Sequence, residues 1–224
     1  MAINLQNTSG IHAGSVKMLV YGQAGAGKTR LISTLPNPVI LSAESGLLSL
    51  AGTSIPFIEI KDMDTLTEAY TWLTDSAEAK AFETVCIDSI SEVAEVCLAA
   101  EKLRSKDPRQ AYGEMQTLMA SAIRSFRDLP RHVYMSAKLE KSSDEMGRVL
   151  YSPSMPGQKS GQAIPYQFDL VLALRVEKDA ENVTQRALMS QSDGLWQAKD
   201  RSGRLEAWEA PDLGAIISKI GGVS

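Results

Sequence analysis

The chain has 224 residues, of which 44% are hydrophobic and 22% charged, enough to close one sizeable α/β core. A formal net charge of -4 argues against a protein that coats nucleic acid through bulk positive charge. No apolar run approaches the roughly eighteen residues of a membrane-spanning helix, and the two cysteines indicate no disulfide framework. These features predict a protein of the cytoplasm without a membrane partner.

Apolar runs alternate with helical patterns along most of the chain. Residues 16–21 predict a first strand, and the helical pattern that begins at Lys28 is stopped by Pro36. Later strands are predicted at 38–43, 55–60, 84–88, 133–137, 168–176, 185–190 and 195–199. Asp64 is predicted to cap the helix that follows the third strand. This alternation predicts an α/β fold with a mostly parallel sheet flanked by helices and antiparallel strands added at one edge.

The distribution of polar residues predicts how the chain is organised. The stretch from Leu139 to Gln167 is rich in Ser, Gly, Pro and Lys, which is typical of a long loop. Residues 1–14 have the composition of a flexible arm, and residues 15–224 are predicted to form a single domain.

The most specific motif is the segment from Gly22 to Thr29, a full match to GxxxxGK[ST]. In this pattern, backbone N–H groups freed by glycine point at a polyphosphate, and Lys28 adds a positive charge that also serves catalysis. The hydroxyl of Thr29 is a ligand for Mg²⁺. The residues predicted to contact the nucleotide are Gly22, Gln23, Ala24, Gly25, Ala26, Gly27, Lys28, Thr29 and Arg30.

Carboxylates at two later strand ends are candidates for the remaining chemistry. Asp88 ends an apolar strand and is predicted to hold Mg²⁺, although an aspartate there could instead cap the next helix. In many P-loop ATPases a glutamate directly after this aspartate activates the attacking water. Here Ser89 follows Asp88, so the base must come from elsewhere. Glu44, at the end of the second strand, is the predicted base, with a surface loop position as its alternative. Glu92 is the reserve candidate.

These segments carry a family resemblance. Ile40-Leu-Ser-Ala-Glu44 and Val85-Cys-Ile-Asp88-Ser89 follow the P-loop in the order of the corresponding RecA segments. The stretches VKMLVYGQAGAGKT, AESGLLSL and TVCIDSISE resemble the phage-encoded RecA-like nucleotide-binding proteins of the single-strand annealing group, which have an AAA-type ATP-binding domain. The resemblance covers about residues 15–212. It implies a RecA-like P-loop NTPase core with ATP and Mg²⁺ as cofactors. The implied partners are single-stranded DNA and a single-strand-binding protein, and the implied location is the cytoplasm of a bacterial host cell.

Two segments occupy the positions at which RecA-like proteins hold DNA. Basic and aromatic residues suit single strands, whose phosphates need cations and whose bases stack on rings. The candidates are Lys106, Arg109, Tyr112, Lys138, Lys141, Arg148, Tyr151 and Lys159. Solvated loops of ordinary polar composition are the alternative. Lys138 also stands near the place of the RecA glutamine that senses the γ-phosphate, and could substitute for it.

Lys199 and Arg201 are spaced like the two lysines by which one RecA protomer reaches its neighbour's nucleotide. The resemblance therefore implies a homo-oligomer, either a ring or a filament, with these two residues binding the nucleotide in trans. A charged turn that solubilises an edge strand is the alternative.

Other P-loop functions fit the sequence less well or stay open. A GTPase is disfavoured because no NKxD motif occurs. A nucleotide or small-molecule kinase remains possible, but its expected arginine-rich lid is poorly supplied, with only Arg148 between Leu139 and Gln167. A nucleotide-gated interaction protein also remains open. The favoured function is an ATP-binding recombination protein that promotes single-strand annealing, with weak DNA-linked ATPase activity.

Overall fold

The structure is a computed structural model that describes residues 14–44, 46–157, 163–179 and 181–221. Residues 1–13 of the predicted flexible arm lie outside this part of the chain. None of the helices in the described ranges combines the length and apolar character that crossing a bilayer requires.

One twisted sheet forms the centre of the fold. Within the described residues its ten strands are β1 (Lys17–Gly22), β2 (Pro38–Ser42), β3 (Phe57–Glu59), β4 (Thr84–Asp88), β5 (His132–Ser143), β6 (Val149–Ser154), β7 (Leu170–Lys178), β8 (Thr184–Met189), β9 (Lys199–Asp200) and β10 (Trp208–Glu209). The order across the sheet is β10-β8-β7-β1-β5-β4-β2-β3, with β6 paired to β5 and β9 to β7. Strands β1 to β5 and β7 are parallel, whereas β6, β8, β9 and β10 pair antiparallel with their neighbours.

Helices cover both faces of this sheet. They are α1 (Lys28–Leu31), α2 (Met63–Asp75), α3 (Ile90–Arg104), α4 (Pro108–Arg127) and α5 (Leu213–Gly221). Successive strand residues point to opposite faces, so Leu19 and Tyr21 pack with α2, α3 and α4, whereas Met18 and Val20 pack with α1 and α5. The sheet is therefore buried on both sides, as its near-continuous apolar strands predict.

The segment from Leu139 to Gln167 was expected to be a loop, and this prediction is wrong. Strand β5 continues to Ser143, turns near Gly147, and pairs with β6 as an antiparallel hairpin. Gly147 has a φ of 76°, a conformation that glycine adopts without steric cost. Hydrophobic periodicity does not predict these two strands because the hairpin is largely exposed and polar and lacks an apolar alternation.

Two smaller predictions are also corrected. Asp62, not Asp64, caps α2: its backbone is extended, and its carboxylate accepts a hydrogen bond from the N–H of Thr65 at 2.7 Å. The strand expected at 195–199 is reduced to a single bridge at Trp196 followed by the two-residue β9. The antiparallel addition at one edge is otherwise present as β8 and β10.

Candidate functional site

The glycine-rich segment forms the turn between β1 and α1. Gly25 and Gly27 have φ values of 75° and 108°, which side chains with a Cβ rarely adopt. A Cβ on Gly22 would lie 2.9 Å from the carbonyl oxygen of Leu174 on β7, so this position requires glycine for packing as well. The turn therefore has the compact backbone that an anion cradle needs.

Lys28 is directed back over this turn. Its Nζ donates to the carbonyl oxygens of Gly22 and Gln23, both at 3.0 Å. Burial lowers the pKa of Lys28, whereas the nearby carboxylates of Glu44 and Asp88 act to raise it. A polyphosphate in the turn would supply further negative charge beside this ammonium group, so the lysine and the turn fit a nucleotide.

A buried carboxylate lies beside the first turn of α1. Asp88 is 2% exposed and accepts hydrogen bonds from the hydroxyls of Thr29, at 2.7 Å, and Ser136. Burial raises the pKa of Asp88, and the two hydroxyl donors oppose that rise. Thr29 and Asp88 form the oxygen pair that fits Mg²⁺, a cation that takes one or two protein ligands and completes its shell with phosphates and water.

Glu44 and Glu92 have different partners. Ser89, the N-cap of α3, donates from its hydroxyl to Glu44 Oε1 at 2.5 Å. Glu92 Oε2 instead forms an ion pair with Lys138 Nζ at 2.5 Å, and this contact raises the pKa of Lys138. Glu44 thus keeps its second carboxylate oxygen for other contacts, whereas the reserve candidate Glu92 is held by a cation.

A pocket of about 680 Å³ unites most of these groups. Its lining consists of Gly22, Gln23, Ala24, Gly25, Gly27, Lys28, Thr29, Glu44, Gly46, Ser49, Lys138, Leu139 and Lys141. Two residues predicted to contact the nucleotide within the same chain are absent from this lining: Ala26 is buried among the apolar residues under α1, and Arg30 is exposed. Lys138 and Lys141, predicted for DNA, lie in the nucleotide pocket.

The other predicted DNA-binding residues are spread over two regions. Lys106 lies between α3 and α4, whereas Arg109 and Tyr112 belong to the exposed start of α4 rather than to a loop. Arg148 lies at the β5–β6 turn and pairs with Asp144 at 2.7 Å. Lys159 lies outside the described residues.

Tyr151 does not offer the free ring that the sequence suggested. Its ring stacks on Trp196 with centroids 4.2 Å apart, and the guanidinium of Arg175 covers the Trp196 ring at 4.2 Å. The Tyr151 ring is therefore already used in packing the hairpin against the sheet.

Lys199 and Arg201 lie at the opposite end of the sheet from the P-loop. Strand β9 pairs with the first residues of β7, at the edge where the parallel strands begin. There Lys199 Nζ donates to the carbonyl oxygen of Pro165 at 2.6 Å, and Arg201 pairs with Asp169 at 3.0 Å. Neither residue can reach the pocket of its own chain, so the proposed role in trans depends on a second copy.

Two contacts at the P-loop were not foreseen. The hydroxyl of Tyr134 donates to the carbonyl oxygen of Lys28 at 2.8 Å, and Arg186 Nε donates to that of Ala26 at 3.0 Å. Both join residues more than a hundred positions apart, which no local pattern reports. The contact of Arg186 could have been anticipated from topology. An antiparallel β8 begins at the carboxyl ends of the parallel strands, where the P-loop lies.

The phosphate loop, the buried strand-end aspartate and the adjacent glutamate define a P-loop protein that binds nucleoside triphosphates. The family described as AAA domain matches residues 15–202, and the chain belongs to this family. The predicted α/β class is confirmed: the core is a RecA-like P-loop NTPase fold, with a mostly parallel sheet and antiparallel strands at one edge.

Similar solved structures come from two archaea. A KaiC-like protein from Pyrococcus horikoshii aligns with a TM-score of 0.44 at 13% identity, covering 79% of this chain and 77% of the other. The flagellar accessory protein FlaH from Methanocaldococcus jannaschii aligns with a TM-score of 0.42 at 9% identity, covering 81% and 80%. No curated protein sequence matches the chain.

Proposed function

We propose that this protein is a Mg²⁺-dependent ATPase that binds single-stranded DNA, promotes its annealing or pairing, and works as a homo-oligomer in the cytoplasm of a bacterial host cell. The observation that supports it best is the joint position of Lys28, Glu44 and Lys141 in one pocket. Lys141 belongs to the β5–β6 hairpin, so the nucleotide site and this hairpin share a wall.

The phosphate cradle and its two oxygen ligands account for binding. Backbone N–H groups of the P-loop and Lys28 take the β- and γ-phosphates, and Thr29 with Asp88 holds the metal. A Mg²⁺ ion held there would supply positive charge beside the transferred phosphoryl group.

Glu44 is the residue that we assign to water activation. Ser89 fixes one carboxylate oxygen, which leaves the other to accept a proton from a water molecule in the pocket. Glu92 is less suited to this role because Lys138 neutralises it. Lys138, held at the pocket wall in the same contact, can exchange Glu92 for the γ-phosphate.

Single-strand binding is supported by the hairpin and by the start of α4. The hairpin offers Lys141 beside the pocket and Arg148 at its turn, and α4 offers Arg109 and Tyr112 on an exposed surface. Cations next to an aromatic ring suit an unpaired strand. The resemblance to RecA-like annealing proteins adds a single-strand-binding protein as a further partner.

Catalysis is tested with a matched pair of carboxamide variants. Glu44→Gln should bind ATP as the wild type does and hydrolyse it about 10²–10³-fold more slowly, because the base is removed while the cradle is kept. Glu92→Gln is the control and should retain most of the turnover. Equal turnover of Glu44→Gln and wild type, measured as phosphate release, would show that Glu44 is not the base.

DNA binding is tested by fluorescence anisotropy with single-stranded and duplex oligonucleotides of the same length, at two salt concentrations. We expect tighter binding of the single strand, and a smaller salt dependence for the Lys141→Ala/Arg148→Ala variant. The DNA affinity of the variant Arg109→Ala/Tyr112→Ala measures the contribution of the α4 surface separately from that of the hairpin. Intact ATP binding without any preference for single strands would reject the DNA part of the proposal.

A further inference from the structure

Arg186 reaches the P-loop from the antiparallel strand β8. It precedes Leu188 by two residues and therefore lies on the same sheet face, which α1 covers. Because β8 runs against β7, its first residues lie at the carboxyl ends of the parallel strands, next to the phosphate turn. The exposed side chain thus reaches the turn along the face of the sheet that α1 covers, and it is absent from the pocket lining.

The contact is made with a single peptide group of the turn. Arg186 Nε donates to the carbonyl oxygen of Ala26 at 3.0 Å, and the same nitrogen would lie 3.7 Å from a Cβ placed on Gly27. In a planar trans peptide the C=O of one residue and the N–H of the next point in opposite directions. Arg186 holds the Ala26 oxygen from outside the pocket, so the Gly27 N–H is turned the opposite way, toward the pocket that Gly27 lines.

We propose that Arg186 is a positioning residue that aims the Gly27 N–H into the phosphate cradle and so sets the affinity for nucleoside di- and triphosphates. This inference rests on the proposed function as a nucleotide-binding protein. The hydrogen bond also polarises the Ala26–Gly27 peptide, which strengthens its N–H as a donor to an anion. Gly27 has no Cβ to restrain this peptide at a φ of 108°, and the N–H of Leu31 holds only the carbonyl of the following peptide, at 3.2 Å.

The charge of Arg186 is available to the cradle. Within the described ranges Arg186 takes part in no ion pair, unlike Arg148, Arg175 and Arg201, each of which is paired with a carboxylate. A guanidinium group that makes one hydrogen bond to the loop and keeps its charge adds positive potential next to the site of the phosphates.

The expected effect is on binding rather than on turnover. Arg186→Met keeps most of the aliphatic side chain but removes the donor, and should weaken ADP and ATP binding by about the same factor, roughly 10-fold. The Michaelis constant for ATP should rise while kcat stays near the wild-type value, because Arg186 does not touch the transferred phosphoryl group. Arg186→Lys keeps a charged donor and should restore at least half of the lost affinity.

The control is an arginine with the same kind of contact elsewhere. Arg204 donates to the carbonyl oxygen of Ile220 at the end of α5, at 2.7 Å. Arg204→Met should lower the melting temperature at least as much as Arg186→Met does, and leave ADP affinity unchanged. Isothermal titration with ADP and thermal unfolding without ligand separate the two effects.

A second readout follows the peptide itself. In the wild type the amide proton resonance of Gly27 should move on addition of ADP, and in Arg186→Met it should move less. Equal ADP affinity and equal Gly27 shifts in wild type and Arg186→Met would overturn the inference. A wild-type protein that binds no ADP would instead reject the proposed function, so the two failures are distinguishable.

Discussion

Two lysines near opposite ends of the central strand β1 have nearly the same local partners. Lys28 donates to the carbonyl oxygens of Gly22 and Gln23, and Lys17 to those of Leu129 and Arg131, both at 2.6 Å. The difference lies in what surrounds them. Lys28 lines a pocket of about 680 Å³ formed by the glycine-rich turn, whereas Lys17 lines one of about 560 Å³ where the chain passes from α4 into β5.

Hydrogen-bond partners alone therefore do not distinguish a binding residue from a structural one. Lys17 satisfies carbonyl oxygens that follow the end of α4, which have no partner within the helix. Lys28 closes on the carbonyls of its own loop, and these can release it to a stronger anionic partner. We therefore expect substitutions of the two residues to affect different properties.

The largest expected effect is that of Lys28→Ala on nucleotide binding. Loss of a charged donor to phosphate should weaken ADP binding about 100-fold, while the melting temperature changes by only a few degrees. Isothermal titration and thermal unfolding of the same preparation measure both quantities. Retained ADP affinity would remove Lys28 from the binding site.

Lys17→Met should have the opposite signature. The carbonyl oxygens of Leu129 and Arg131 lose the ammonium donor, although Leu129 keeps the N–H of Arg131, so the free energy of unfolding should fall by about 1–3 kcal/mol. ADP affinity should match the wild type. Urea denaturation gives the first quantity and ADP titration the second. A stable Lys17→Met protein with weakened ADP binding would erase the proposed difference between the two lysines.

The stability difference between wild type and Lys17→Met should also depend on pH. Burial lowers the pKa of Lys17 to about 8, although Asp169 and Asp128 act to raise it. Between about pH 8 and the unfolded value of 10.5, the unfolded chain binds the proton and the folded chain does not, so this group's contribution to stability rises with pH. Denaturation at pH 7.5, 8.5 and 9.5 should therefore show a growing advantage of the wild type, and a constant difference would contradict the lowered pKa.

The smallest effect is expected for Arg201→Ala. Its ion pair with Asp169 is largely exposed, so a single chain should lose less than about 1 kcal/mol of stability. ATPase activity should fall only if a neighbour's site needs this cation. Mixing Lys28→Ala with Arg201→Ala protein tests that point: activity in the mixture above that of either variant alone supports a shared site, and sedimentation as a monomer with ATP and DNA rejects it.

The functional residues that could be predicted best from the sequence are those that lie next to positions where the backbone requires glycine. The P-loop needs glycines at fixed positions and ends in Lys28 and Thr29, so the motif alone located the turn. Asp88 was predictable because an apolar β-branched run ends in a carboxylate. Glu44 needed the sheet order in addition, since only the pairing of β2 with β4 brings its strand end to Asp88.

The rest depended on contacts that no local pattern reports. The β5–β6 hairpin has polar strands, so its pairing is invisible to hydrophobic periodicity. Arg186 meets Ala26 across 160 positions of the chain. Lys199 and Arg201 matched a spacing in RecA, but their location at the far edge of the sheet follows from the antiparallel pairing of β9, which two residues of sequence cannot specify.

Strand β5 has a mechanical consequence. Its first half is a central strand of the sheet, and its second half is one side of the hairpin, without a break between them. From Lys138 in the pocket to Ser143 near the turn, the extended chain spans about 17 Å. The length of β5 therefore sets the distance between the hairpin turn and Lys138, so a partner bound at the turn would lie about 17 Å from the pocket that Lys138 lines.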